Sequence, residues 1–266
     1  MSLRAKIAGV DFSGARDAGR HIWVAQGTHG PNGLQIDSLK RADKLHGGGV
    51  TIDEAMRGLR DCLSGLTESI IGLDFPFSIP ATLIEQFTWS EFIHDFSRNY
   101  ATPEEFRNDC RVKAKGKELK RATDSEAKVP WSAYNLRIYR QTWVGIRYIL
   151  APLISENRVR VIPTQTPREG MPILAETCPA SFLKHEGLYS PYKGRTPDLQ
   201  KTRSSILAEI TKRNYLMPVT GKTRRRVVED VGGDALDAII AAVCATRIDD
   251  LAPRSVLERL EARVYF

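Results

Sequence analysis

Cysteine and histidine are scarce in this 266-residue chain, which holds four of the first (Cys62, Cys110, Cys178, Cys244) and five of the second (His21, His29, His46, His94, His185). None falls at C-x-x-C or another metal-ligand spacing, so neither a zinc site nor a disulfide framework is expected. Cys62 and Cys244 lie in apolar helical patterns and read as core. Long hydrophobic runs are missing too: none approaches the roughly 18 residues needed to cross a bilayer. The first strand-like segment follows no apolar signal core, so the reading is cytoplasmic, with no membrane partner. No repeat or low-complexity tract stands out. Acidic charge is in deficit, with 32 Asp+Glu against 39 Lys+Arg and a net charge of +7, which suits a polyanionic partner such as nucleic acid.

What is present is patterned. With 42% hydrophobic residues the chain can bury a substantial core, and a single domain over residues 1–266 is expected. Lys6 to Asp11 reads as a buried strand ending in an acid, Arg20 to Gln26 as its antiparallel return, and Leu34 to Leu39 as a third strand after the turn Pro31-Asn32-Gly33. Thr51 caps a helix from about Ile52 to Leu66. Ser69 to Asp74 is a second apolar strand ending in an acid, and Pro76 and Pro80 stop any regular continuation. A mainly helical insertion occupies about 81–154. Val159 to Ile162 and Ile173 to Pro179 read as strand-like, the latter carrying Glu176, and a helix runs from after Thr202 to about Tyr215. The fold class expected is α/β: a mixed sheet, with a three-strand antiparallel meander plus parallel strands, flanked by helices.

The last helix, from Asp234 through Ala245, is almost wholly apolar yet carries Asp234 and Asp237 one turn apart on one face. Burying two like charges without compensation is costly. Asp234 alone is explained as an N-cap or first-turn residue at the positive end of the helix dipole. That role explains Asp237 less well, because that residue lies further into the apolar run. Functional groups in α/β sheets gather at the carboxyl ends of strands, where Asp11 and Asp74 sit. Three or four carboxylates suit a hard, oxygen-seeking cation such as Mg²⁺ or Mn²⁺. Two such ions about 4 Å apart activate water and stabilise the leaving oxygen in phosphodiester hydrolysis.

Gly9-Val10-Asp11-Phe12-Ser13-Gly14 and Asp234-Ala235-Leu236-Asp237-Ala238, with an acid on the fourth strand between them, resemble the catalytic pattern of the Holliday-junction resolvases in the ribonuclease H-like superfamily. More of the chain is similar to a bacterial family described as predicted RNase H-like nucleases. The shared segments there are Gly9 to Gly14, Gly72-Leu73-Asp74-Phe75-Pro76, Glu176-Thr177-Cys178-Pro179 and Asp234 to Ala242. The resemblance implies a ribonuclease H-like sheet and a metal-dependent nuclease. Asp11, Asp74 and Asp234 would be metal ligands, and Asp237 a fourth ligand or water-orienting group. Glu176 matches the second family but not the resolvases and is a possible additional acid.

Basic residues interleaved with aromatics can grip a phosphate backbone and stack bases. Lys113, Lys115, Lys117, Arg137, Arg140, Arg224 and Arg225 are the candidates. The competing reading makes Trp143 and Tyr148 core and the lysines a solvated loop. Two other functions share these features. Sugar-kinase and actin-like ATPases have a first phosphate loop resembling Asp11-Phe12-Ser13-Gly14 and a Gly-Gly motif resembling Gly232-Gly233, but pair two such domains. A non-catalytic nucleic-acid-binding module is the third possibility.

Overall fold

The computed structural model describes residues 5–266. Strands β1 (Lys6–Asp11), β2 (Trp23–Gly30) and β3 (Gly33–Arg41) form the antiparallel meander. Helix α1 (Ile52–Gly65) then crosses to β4 (Ser69–Asp74), which pairs parallel with β1. Thr51 closes the start of α1 with a reciprocal capping box to Glu54, as its sequence implies.

Between β4 and the next strand lie α2 (Trp89–Asn99), α3 (Pro103–Lys113), α4 (Ala122–Glu126), α5 (Tyr139–Gly145) and α6 (Ala151–Ser155). A π-turn at Ile146–Leu150 joins the last two into one rod. Thr88 and Thr102 start α2 and α3 with capping boxes of their own. Strands β5 (Arg160–Ile162) and β6 (Ile173–Thr177) follow, then α7 (Pro179–His185), α8 (Pro197–Lys212), α9 (Gly221–Glu229), α10 (Asp234–Thr246), α11 (Val256–Glu261) and β7 (Val264–Tyr265). The sheet order is β3-β2-β1-β4-β6-β5, with β7 added parallel to the end of β6.

Two boundaries differ from the sequence reading, and two elements are added to it. Strand β2 begins at Trp23 rather than Arg20, because Ala18–Arg20 make a tight 3₁₀ turn. Helix α8 begins at Pro197, capped by Thr196, well before Thr202; proline at the first helical position is preorganised for this. The basic run ending at Arg226 is helical, and the two-residue β7 carries no periodicity to detect.

Strand alternation divides the core in two. Ala8, Val10, Ile71, Leu73 and Leu174 face one layer, where α1, α2, α3 and α5 pack. Ile7, Ala25, Ile70, Ile173 and Ala175 face the other, with α7, α8 and α10. Helix α10 is buried nearly all round, which explains its apolar composition. It lies unusually close to the sheet. A Cβ on Gly9 would meet the Ala242 N at 2.1 Å and the Ala238 O at 2.2 Å, and one on Gly72 the Ala241 O at 2.5 Å. Backbone cannot yield the way a flexible side chain can. Gly9→Ala and Gly72→Ala should therefore each lower stability by about 1–3 kcal/mol in urea unfolding, the cost of overpacking. Gly30→Ala, which meets nothing within 4 Å, should stay within about 0.5 kcal/mol.

Candidate functional site: a carboxylate cluster at the start of α10

Asp11 and Asp74 are direct register partners across the parallel β1–β4 pair. Both stand two residues beyond a glycine that α10 approaches, so both face α10. That helix begins at the same end of the sheet and brings Asp234 and Asp237 against them. Asp237 is 3% exposed and Asp234 19% at the side chain.

The cap of α10 is not Asp234. Gly233 is the N-cap residue, in the left-handed region at φ 75°, and Asp230 Oδ2 accepts the Ala235 N–H at 2.9 Å. The Asp234 carboxylate is thereby left for the cluster. Gly233 has a second role: a Cβ there would lie 2.9 Å from the Tyr192 ring. The loop between α7 and α8 crosses at this point, and Tyr192 donates its hydroxyl to Asp237 Oδ1 at 2.7 Å. Lys193 Nζ lies 2.7 Å from Asp237 Oδ2 and 3.8 Å from Asp234 Oδ1.

Electrostatics follow from this crowding. Burial and then Asp237, Asp234 and Asp74 hold Asp11 well above the ordinary carboxylate range, against the pull of Lys193. Asp74 is pushed up to about 8, by burial first and Asp237 second. Asp234 rises to about 6, chiefly by burial, with Asp230 and Asp237 adding to it against Lys193. Burial opposes the charge on Lys193, but Asp237 and Asp11 outweigh it and raise its pKa. Four acids thus share one ammonium. Their all-oxygen donor chemistry fits a hard divalent cation. Among the described residues, however, no group of three or more Asp, Glu, His or Cys side chains closes on a common ion position as the side chains stand.

Glu176 is not brought into this group. It pairs in register with Leu73, one residue before Asp74, and so projects from the opposite face of the sheet. There it accepts the Phe77 N–H at 2.9 Å and both terminal nitrogens of Arg121, which also binds Asp124. Arg121 and Glu176 are buried, 1% and 4% exposed at their side chains. Glu176 ties the helical layer to the sheet.

The basic candidates do not form one surface. Lys113 is paired with Glu85 and Asp109, while Lys115 and Lys117 are exposed beyond α3. Arg137 stacks on Trp131 and Arg140 on Tyr139, the latter also pairing with Glu104. Arg224 bonds the Ser204 hydroxyl, and Arg225 is exposed. The sheet separates this α9 pair from the α3 and α5 residues, which belong to the other layer. Trp143 is core: its indole N–H donates to the Tyr100 carbonyl, and its ring meets Tyr148 edge-on. Tyr192 and Lys193, absent from the sequence reading, lie in a loop with no periodicity to mark them. No helix among the described residues is long and apolar enough to cross a membrane.

Two outcomes test this electrostatic picture. A carboxyl whose folded-state pKa is raised destabilises the fold once ionised, so its contribution is lost as pH climbs from the unfolded value near 4 towards 8. In a chelator, thermal stability should fall across that range, and Asp74→Asn should flatten the fall. Arg121→Met leaves Glu176 buried and unpaired and should cost about 3–5 kcal/mol in chemical unfolding. The double variant Arg121→Met/Glu176→Gln should recover part of the loss.

No family model matches this chain, and neither a curated protein nor a solved structure matches it.

Proposed function

We propose that this chain is a metal-dependent nuclease that hydrolyses phosphodiester bonds, built on a ribonuclease H-like sheet and related to the predicted RNase H-like nucleases it resembles. The observation that carries the reading is the convergence of Asp11, Asp74, Asp234 and Asp237 from two parallel strand ends and one helix start, with a single ammonium between them. Buried acids in such excess are a functional signature more than a packing device. Asp11, Asp74 and Asp234 would hold Mg²⁺ or Mn²⁺, with Asp237 as fourth ligand or orienting group. A divalent cation bound here supplies an activated water and charge stabilisation for the leaving oxygen.

The chain's own groups have separable tasks in this reading. Asp237 is anchored by the Tyr192 hydroxyl and Lys193, which hold its two oxygens in place. Asp234 is the more exposed of the helix pair, and burial raises its pKa to about 6 in the absence of a cation. Gln141 donates to the Asp74 carbonyl at 2.5 Å and steadies the end of β4 from the helical layer. Phe12 and Phe75, the residues after the two strand acids, meet with tilted rings at 4.6 Å in the first core layer and hold both strand ends together.

The test is incubation with Mn²⁺ and a panel of single-stranded, duplex, hybrid and branched substrates. Cleavage is expected, and Asp11→Asn should reduce it at least about 100-fold, the scale of losing one preorganised charge at a reacting centre, while the variant still folds. Cleavage that survives in Asp11→Asn, or ATP turnover with no cleavage of any substrate, overturns the proposal.

A further inference from the structure

One row of directly paired residues runs across the sheet: Arg41, Trp23, Asp11, Asp74. Direct partners project on the same face, so a guanidinium and an indole continue the line of the two strand acids on the α10 side. Strands lie about 4.8 Å apart, which puts the Arg41 backbone roughly 10 Å from that of Asp11. Trp23 and Arg41 line a pocket of about 340 Å³ together with Lys40, Lys44 and Arg226.

The pocket is built from two directions. Strand β3 and the turn after it supply Lys40, Arg41 and Lys44. Helix α9 supplies Arg226, whose Nη1 donates to the Leu39 carbonyl at 3.0 Å and docks the guanidinium on the strand. Asp43 offsets part of the charge, 3.2 Å from Arg41 and 3.4 Å from Lys44. Four basic side chains against that carboxylate leave an excess of positive charge. Lys40 and Arg226 have no carboxylate partner among the described residues. Trp23, buried in the core, forms the apolar floor of the pocket.

We infer that this pocket is a second phosphate subsite, which takes a nearby phosphodiester of the same nucleic-acid strand that is presented to Asp11 and Asp74. The two positions are roughly 10 Å apart, within the span of a few consecutive phosphates on one strand. The inference rests on the nuclease reading and gives the substrate a path: the strand lies over the β2–β3 edge, past α9, between this pocket and the acids. A lone acid cluster repels a polyanion, and the adjoining cations draw the strand to it.

Fluorescence anisotropy with short labelled single-stranded DNA and RNA, in Ca²⁺ to keep a divalent cation present, tests it over roughly 50–200 mM salt. Lys40→Ala/Lys44→Ala should weaken binding about tenfold at low salt. It should also reduce the slope of log affinity against log salt by about 1.4, two phosphate contacts on a single strand. Both lysines are exposed, so folding is not at risk. Arg226→Gln should act in the same direction, and Lys201→Ala/Lys212→Ala on α8 serves as the charge-matched control. Wild-type affinity and slope in the Lys40/Lys44 variant, or an equal loss in the control, overturn the subsite while leaving the nuclease reading to the cleavage assay. Binding that behaves as expected with no substrate cut overturns the nuclease reading alone. A wild-type protein that binds neither oligonucleotide overturns the subsite.

Discussion

The contact on which this structure depends is backbone against backbone: α10 seated on the glycines of β1 and β4. At Gly9 and Gly72 there is no room for even a methyl group. The same two glycines precede Asp11 and Asp74 by one strand period. Close seating of the helix and convergence of the acids are therefore one event. A helix held off by ordinary side chains, at the usual separation of packed layers, would leave its first turn too far from the strand ends for the carboxylates to couple. The alanines of α10 serve the same purpose from the other side, since they keep its sheet-facing surface shallow.

Charge is arranged differently on the two faces of the sheet. On one, Arg121 bridges Glu176 and Asp124 in a closed, buried network in which each carboxylate meets the guanidinium directly. On the other, four acids are left with Lys193 and the Tyr192 hydroxyl. The first arrangement is complete and holds layers together. The second is left short of positive charge, at a place open enough for Asp234 and Asp74 to meet solvent. A strand shift of one residue separates the two roles, because Glu176 pairs beside Leu73 and not beside Asp74.

Much of this was legible in the residues. Apolar runs that stop at Asp11 and Asp74 marked two strand ends, while their adjacency was a condition that only the assembled sheet meets. The misplaced acid at Asp237 signalled that α10 did more than pack. Glu176 was harder: its burial was readable, but which face it took depended on a register only the assembled sheet defines. Asp234 takes the first-turn position, one of its two alternatives, with Gly233 as the cap, and the part played by Asp230 was hidden because it lies four residues earlier, across a glycine pair whose turn has no signature in hydropathy. Tyr192 and Lys193 reach the site from a loop distant in sequence. Arg226, and not its neighbours Arg224 and Arg225, enters the basic pocket because helical phase turns one residue of the run towards β3.

The buried Arg121–Glu176 pair bears on how the helical layer relates to the sheet. The helical segment that follows β4 looks like an addition to the sheet, yet it carries Arg121, the cation bonded to a carboxylate fixed in β6. The segment that covers Glu176 therefore also brings the guanidinium that such burial requires, so cover and counterion arrive together.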